Sequence, residues 1–156
     1  MFSCLNDEMA PEDTELQLLS AATLVNTPEF GLRGLRMRAK VLNVYDGDTI
    51  TLGFVFRGEV FRKQCRVKGV DCAEIRTRNE SEKAVGLRAQ IRTRELVSDS
   101  IVRVEFDNQE DKYGRLLGVV YIRDGRRLDS VLIEEGLGYA YDGKQKRQFE
   151  EWYTRK

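Results

Sequence analysis

The rest of this chain is organised around residues 46–74, DGDTITLGFVFRGEVFRKQCRVKGVDCAE. An acidic cluster stands at each end. Between the clusters, apolar residues alternate with polar or small ones at Ile50, Leu52 and Phe54. This is the period of a half-buried strand. A turn at Gly58-Glu59 leads to a further strand over Val60–Val67, so the acidic clusters flank one hairpin-like unit.

The residues before this stretch extend the same sheet. Met37, Ala39 and Val41 share one parity, and the chain then reaches Asp46-Gly47, a strong turn dipeptide. We therefore predict a three-stranded meander that begins near Met37.

After the meander the pattern becomes helical. Glu80 or Ser81 begins a predicted helix with an apolar stripe at Ala84, Leu87 and Ile91. Two strands follow, at residues 102–106 and 117–122, with a charged loop between them.

Two short helices complete the predicted fold. Asp129 is a suitable N-cap for the first, which Gly136 ends, and residues 144–155 form the second, packed by Phe149 and Trp152. Five strands, with a helix after the third and another at the end, are in the order of an OB-type barrel. We therefore predict an α+β fold, mainly β: a five-stranded OB-fold barrel with three helices.

The N-terminal region differs in charge from the rest of the chain. Residues 1–36 hold six acids against two arginines, a net charge of −4, which leaves +4 in residues 37–156 because the whole chain is neutral. We predict an extension over 1–36, disordered to about residue 12, with a short helix over Glu15–Val25 that Asn26-Thr27-Pro28 ends. The helix either packs on the body or shields a basic groove. Residues 37–156 form the barrel domain.

The composition limits the chemistry. Without His, catalysis has to use carboxylates, arginines, lysines or tyrosines. The three cysteines show no CxxC spacing, which argues against a zinc site and fits a reducing compartment. The acidic start is unlike a secretory signal, and no apolar run reaches membrane-spanning length. We expect an intracellular protein, cytoplasmic or nuclear, without a membrane partner.

The acids in the two clusters are candidate ligands and bases. A sheet can bring Asp48 and Asp71 together, and paired carboxylates without His or thiolate neighbours favour a hard cation such as calcium or magnesium. The alternative is that Asp46-Gly47 is a turn that Asp48 merely caps. Glu74, three residues beyond Asp71, can serve as a general base or be a solvated charge.

Two arginines are candidates for phosphate binding. Arg66 lies in a predicted strand, where an unpaired inward charge is costly, so it points to solvent or to an anion. Gly114 can turn the backbone to present Arg115 to the same site. Guanidinium groups donate bidentately to phosphate oxygens and suit the charge of a pentacoordinate phosphorane.

These motifs together resemble a known family. Asp46-Gly47-Asp48-Thr49, then Arg66 with Val70-Asp71-Cys72-Ala73-Glu74, then Asp111-Lys112-Tyr113-Gly114-Arg115 follow the order and spacing of the staphylococcal nuclease (thermonuclease) family. The resemblance covers about residues 38–153 and implies the OB barrel with three helices.

The resemblance also implies roles for single residues. It implies one Ca²⁺ ion bound by Asp48, Asp71 and the backbone carbonyl of Cys72, with Glu74 as general base. Arg66 and Arg115 would hold phosphate and stabilise the transition state. Residues that would line the substrate site are Lys112, Tyr113 and one of Tyr139 or Tyr141, of which Tyr141 is our choice.

The chain departs from the family pattern at Cys72-Ala73, where the family commonly has Thr-Pro. A carbonyl ligand tolerates the first change, whereas the loss of proline loosens the loop that carries Glu74. Cys72 is either an oxidation-sensitive thiol near the metal or a small buried residue.

The sequence thus predicts a calcium-dependent endonuclease that hydrolyses DNA and RNA. By resemblance the products carry 3′-phosphates, and single-stranded or frayed substrates are preferred, with slight sequence preference. We expect a monomer. The alternatives are a non-catalytic nucleic-acid-binding or scaffold module of the same fold, and a calcium-binding regulatory domain.

Overall fold

The computed structural model of the protein describes residues 12–27, 31–107 and 110–153. The chain divides into two compact units, residues 1–31 and residues 32–156. None of the helices in the described part of the chain is both long enough and apolar enough to cross a bilayer.

The first unit contains one described helix, α1, Glu12–Ala21. It begins before the predicted Glu15 and ends before the predicted Val25. The early end has a local cause, because the Asn26 side chain accepts a hydrogen bond from the Thr23 N–H at 2.7 Å and donates to the Ala21 carbonyl at 3.0 Å. The segment predicted to be disordered lies, apart from Glu12, outside the described residues.

The second unit is built on a closed barrel. In chain order its elements are β1 Arg36–Asp46, β2 Thr49–Phe56, β3 Glu59–Val67, β4 Gly69–Cys72, α2 Glu80–Val97, β5 Ile101–Phe106, β6 Leu116–Tyr121, α3 Leu128–Glu134, β7 Gly138–Tyr141 and α4 Phe149–Trp152. The barrel order is β1-β2-β3-β6-β5, and all its pairs are antiparallel except β3 with β6. The predicted five-stranded barrel is confirmed, as are three helices in this unit.

Alternation along the strands fills the barrel. Ile50 and Leu52 are fully buried, and neighbouring strands add Val41, Val104 and Val120 to the same core. Truncating a fully buried Ile or Leu to Ala costs about 2–5 kcal/mol. The residues predicted to face inward on these strands are therefore the ones that form the core.

A second sheet of two strands was not predicted. β4 pairs antiparallel with β7, and the pairing sets Asp71 opposite Tyr139. Each strand is only four residues long, too short for an alternating pattern to stand out in the sequence. This pairing fixes the position of Asp71.

The predicted apolar stripe of α2 is wrong. Leu87 and Ile91 are 40% and 52% exposed, whereas the buried residues are Val85, Gly86, Ala89, Thr93 and Val97. Small side chains let the helix approach the β1–β2 turn closely, and the Thr93 hydroxyl donates to the Gly47 carbonyl at 2.7 Å. Both sets of residues have helical spacing. The set with small side chains is the buried one, because it allows α2 to pack closely against the turn.

Several predicted boundaries also change. The β2–β3 turn is centred on Arg57 and Gly58, both with positive φ, one residue before the predicted position. α3 begins after Arg127, and Asp129 lies in its first turn instead of capping it. Gly136, at φ +70°, ends that helix as predicted. The last helix is confined to Phe149–Trp152.

Candidate active site

The β1–β2 turn carries the first acidic cluster and is held against α2. Gly47 faces Ala89 so closely that a Cβ on the glycine would lie 2.7 Å from the Ala89 Cβ. The turn thereby holds Asp48 at a fixed place beside β4, where 7% of the residue is exposed.

Asp48 is a buried acceptor of several hydrogen bonds. Its Oδ2 accepts from the Cys72 N–H at 2.8 Å and lies 3.1 Å from Nη1 of Arg66, and its Oδ1 accepts from the Thr49 hydroxyl at 3.2 Å. Burial raises the pKa of Asp48, and neighbouring Asp71 adds to this, against the opposing effect of Arg66. Asp48 therefore does more than cap a turn, because it ties the β1–β2 turn to β3 and β4.

Arg66 joins the two acids that the sequence paired. Its Nη2 lies 2.7 Å from Oδ1 of Asp71, and its Nη1 also donates to the Val70 carbonyl at 2.8 Å. Arg66 is 8% exposed, so of the two predicted directions, solvent or an anion, it takes the second. In this structure its anions are the carboxylates of Asp48 and Asp71.

Glu74 lies just outside this buried pair. Its side chain is 57% exposed, and its Oε1 lies 3.2 Å from Nζ of Lys146, which also lies 3.1 Å from Oδ1 of Asp71. Burial acts to lower the pKa of Lys146, but Asp71 and then Glu74 outweigh it and raise that pKa. One ammonium group thus bridges Asp71 and Glu74.

Helix α2 supports the segment that carries Glu74. Glu82 accepts a hydrogen bond from the Glu74 N–H at 3.4 Å, and a Cβ on Gly86 would lie 2.7 Å from the Ala73 carbonyl oxygen. Ala73 is buried in a small cluster with Val85 and Phe149. This packing holds the segment where the proline of the family pattern is missing.

The two candidate tyrosines of β7 differ in their surroundings. Tyr139 is 6% exposed, and its hydroxyl donates to Oδ2 of Asp71 at 2.8 Å. Burial and this hydrogen bond raise its pKa to about 12. Tyr141 is half-buried, its ring 6.2 Å from that of Tyr139 in an edge arrangement. Tyr139 therefore orients an acid, and Tyr141 has the more accessible ring.

Arg115 reaches the site from the loop before β6. Gly114 has φ +72°, and Oδ1 of Asp111 accepts from the N–H groups of Tyr113 and Arg115, both at 3.0 Å. Burial opposes the effect of these bonds, but together with the Arg115 side chain they lower the pKa of Asp111. From this turn, Nη1 of Arg115 donates to the Thr49 hydroxyl at 3.1 Å.

Lys112 and Tyr113 lie at the outer side of the same loop. Tyr113 is 71% exposed, with the Lys112 ammonium 5.0 Å and the Arg115 guanidinium 5.4 Å from its ring centre. An exposed aromatic face beside two cations is suited to stacking a base near a phosphate.

The separate contacts form one continuous polar chain. It runs from Arg115 through Thr49, Asp48, Arg66, Asp71 and Lys146 to Glu74. Residues from five parts of the sequence thus meet at one end of the barrel, on the outer side of β3.

Comparison with known proteins shows the family of the chain. A statistical model of the family described as "Staphylococcal nuclease homologue" matches residues 64–154. This chain belongs to that family. The matched residues include Arg66, Asp71, Glu74 and Arg115, whereas Asp48 precedes them and is joined to them through its contact with Arg66.

Curated relatives carry names of nucleases. The endonuclease YncB of Bacillus subtilis (strain 168) is 36% identical over 106 residues, which are 65% of this chain and 48% of that protein. The thermonuclease of Staphylococcus hyicus is 34% identical over 103 residues, 65% of this chain and 57% of that protein. The micrococcal nuclease of Shigella flexneri is 31% identical over 112 residues, 67% and 58% of the two chains. The chain matches about half of the length of these relatives.

The staphylococcal nuclease motifs do not contain every residue that lies in the site. Thr49 lies in a motif that predicts no role for it, and none of the motifs contains Lys146, although Lys146 links Asp71 to Glu74. Asp46 also belongs here, because burial and then the charges of Asp48 and Glu74 raise its pKa. A cation some seventy residues from its partner leaves no local signal in a sequence.

The donor atoms of the site are oxygens, the type of ligand that a hard divalent cation prefers. Asp48 and Asp71 offer carboxylate oxygens, and the raised pKa of Asp48 reflects burial together with the neighbouring Asp71 charge. The described side chains contain no group of three or more acids, thiols or imidazoles arranged to hold a metal ion. A cation here would therefore need water or a backbone oxygen in addition, as calcium and magnesium commonly accept.

Proposed function

We propose that this protein is a calcium-dependent endonuclease that hydrolyses phosphodiester bonds of DNA and RNA with little sequence specificity. The observation that supports the proposal is the continuous chain of contacts from Arg115 to Glu74, because it gathers two phosphate-binding cations, two carboxylates and a candidate base. The names of the curated relatives agree with a nuclease activity.

The proposed reaction assigns one task to each residue. Glu74, which is accessible to water, takes a proton from the water molecule whose oxygen attacks phosphorus. Arg66 and Arg115 donate hydrogen bonds to the phosphate oxygens, whose charge grows in the pentacoordinate transition state. As the water oxygen bonds to phosphorus, the P–O5′ bond breaks and the departing oxygen takes a proton from solvent, which leaves a 3′-phosphate on one product and a 5′-hydroxyl on the other.

The proposed cofactor is one Ca²⁺ ion. Asp48, Asp71 and the backbone carbonyl of Cys72 would hold it, and when bound it would polarise a phosphate oxygen as a Lewis acid. Because Arg66 contacts both carboxylates, its guanidinium has to share them with the ion or turn toward the substrate phosphate.

The substrate contacts that we propose come from three exposed or half-buried residues. Lys112 and Tyr113 offer a cation and a stacking face, and Tyr141 offers a second ring. Stacking of this kind favours single-stranded or frayed nucleic acid over paired bases. We propose a monomeric enzyme, and the two buried free thiols are compatible with an intracellular, reducing compartment.

The decisive experiment compares the wild type with Glu74→Gln in calcium and in chelator. We expect turnover to fall by several orders of magnitude and calcium affinity to stay within a few-fold, because Glu74 is proposed to act on water and not as a ligand. Glu80→Gln, an exposed acid at the start of α2, is the matched control. Equal losses of turnover and of calcium binding would contradict the role as base.

The same experiment separates the alternative, a non-catalytic nucleic-acid-binding or scaffold module. That alternative predicts no cleavage by the wild type in millimolar calcium together with retained DNA binding. A regulatory calcium-binding domain predicts calcium binding without any affinity for polynucleotides.

A further inference from the structure

Two arginines face each other across neighbouring barrel strands, outside the active site. Arg38 on β1 is the direct cross-strand partner of Arg103 on β5, and both are exposed. Side chains in such a position are about 4.5–5.5 Å apart at Cβ, and like charges there are destabilising. Neither arginine contacts a carboxylate among the described residues. The repulsion between the two guanidinium groups is therefore not compensated by a negative charge within that part of the chain.

An aromatic ring continues the row on the next strand. Arg103 is paired in register with Tyr121 on β6, and its guanidinium lies 4.7 Å from the centre of that ring. The row therefore reads arginine, arginine, tyrosine across three adjacent strands.

The row belongs to a larger outward surface. Strand alternation places on it, with the two arginines, Arg36 and Lys40 of β1 and Arg62 of β3. We call the set Arg36, Arg38, Lys40, Arg62 and Arg103 the cationic face. Among these residues lies the carboxylate of Glu105, 3.3 Å from Arg36. The outward carboxylate of β1, Asp46, lies at the other end of that strand, in register with Thr49 at the active site. The cationic face thus keeps a net positive charge.

The register connects the cationic face to the active site. Arg62, Gln64 and Arg66 share one parity on β3, and Arg62 is paired with Gly53, which is paired in turn with Lys40. Successive residues of one parity are ~6.7 Å apart along a strand, so Arg62 lies ~13 Å from Arg66. The outer surface of one sheet thus runs from the proposed catalytic arginine to the cationic face.

We propose that the cationic face is a second binding surface for the sugar–phosphate backbone of a polynucleotide whose scissile phosphodiester lies at Arg66. The inference rests on the proposed function. A polynucleotide supplies phosphates at regular intervals along one path, and the path on this sheet already begins at a phosphate-binding residue. A dinucleotide at the active site does not extend as far as Arg38 and Arg103.

The test measures binding of a 30-nucleotide single-stranded DNA by fluorescence anisotropy in chelator, over a range of salt concentrations. Arg38→Ala/Arg103→Ala is compared with Arg88→Ala/Arg92→Ala, which removes two arginines of α2 that are held by Tyr153 and Glu135. We expect about tenfold weaker binding for the first variant alone. Its salt slope should fall by about 1.4, since each phosphate contact to a single strand contributes about 0.7.

Two further readouts identify the cause. Arg38→Lys/Arg103→Lys keeps the charge and should keep most of the affinity, which a damaged fold would not. Hydrolysis of a dinucleotide in calcium should be equal in the Arg38→Ala/Arg103→Ala variant and the wild type. If the wild type in calcium cleaves neither the dinucleotide nor the 30-mer, the proposed function fails, while the anisotropy result still decides the binding surface.

The proposal is overturned if the alanine variant binds the 30-mer within twofold of the α2 control with an unchanged salt slope. It is also overturned if the variant keeps its DNA affinity but loses binding to phosphatidylserine vesicles. In that case the cationic face would serve a lipid surface.

Discussion

The hydroxyl of Tyr139 donates a hydrogen bond to Oδ2 of Asp71 at 2.8 Å, and the Arg147 N–H donates to the same hydroxyl at 2.9 Å. Tyr139→Phe should lower the free energy of unfolding by about 1.5–3 kcal/mol, because a buried carboxylate loses a donor. Calcium affinity should fall about 10–100-fold, as is typical when a residue that orients a ligand is lost. Urea denaturation and calorimetric titration measure the two effects.

Tyr141→Phe is the matched control for that substitution, since it lies on the same strand and its hydroxyl has no hydrogen-bond partner among the described residues. Equal losses in the two variants would show that the hydrogen bond from Tyr139 to Asp71 contributes nothing.

Lys146 should compete with a divalent cation for the acids of the site. Its ammonium group contacts Oδ1 of Asp71 and Oε1 of Glu74, so Lys146→Met should strengthen calcium binding by about tenfold, ~1.4 kcal/mol, by removing a like charge. Lys144→Met is the control, because Lys144 is 86% exposed and lies 3.8 Å from Asp142. Calcium titration without substrate gives the comparison. Unchanged or weaker binding in Lys146→Met would argue against competition.

Arg66 compensates two buried carboxylates. Arg66→Met leaves Asp48 and Asp71 without their shared cation and should cost about 3–5 kcal/mol of unfolding free energy in chelator. Calcium should restore part of this loss, since a bound cation replaces the missing charge. A loss of the same size with and without calcium would mean that the ion does not bind at these acids.

Gly86 sets the distance between α2 and the segment of Glu74. In Gly86→Ala the new Cβ would lie 2.7 Å from the Ala73 carbonyl oxygen, so the segment has to move. We expect a loss of about 1–3 kcal/mol in stability and a lower kcat with little change in calcium affinity. Leu87→Ala, at a 40% exposed position of the same helix, should change neither. A normal kcat in Gly86→Ala would show that the position of Glu74 tolerates such a shift.

The thiols of Cys65 and Cys72, both buried, should be unreactive in the folded protein. Burial raises the pKa of Cys65 to about 12, and burial followed by the charge of Asp48 raises that of Cys72 well above its usual value of 9.0. A thiol-specific reagent at pH 8 should therefore modify both only after unfolding, which argues against Cys72 as an oxidation sensor.

The same shifts predict a pH dependence of stability. The folded state holds the Cys65 proton more tightly than the unfolded state does, so its contribution is complete below about pH 9 and is lost as the pH rises toward 12. Cys65→Ser, which does not titrate in this range, should show a smaller decrease in unfolding free energy between pH 9 and 11. An identical decrease would exclude Cys65 as a cause.

The strands of the barrel could be predicted because each shows its own period. The buried side of β2 is already indicated by Ile50, Leu52 and Phe54, which alternate within five residues. The folded strand keeps this local pattern. Helix α2 shows the limit of this reasoning, since Leu87 and Ile91 also have helical spacing but face solvent. Which stripe is buried depended on the glycine turn that α2 has to approach, and that turn lies forty residues earlier.

Strand period and motif spacing are local, so the sequence alone predicted the barrel strands and the types of residue available for chemistry. The tertiary structure adds that Arg66 joins Asp48 to Asp71, that Tyr139 and Lys146 hold Asp71, and that Arg38 stands opposite Arg103. Each of these contacts joins segments through strand pairing or loop closure. Their energies depend on distances between atoms that are far apart in the chain, and a sequence pattern does not contain those distances.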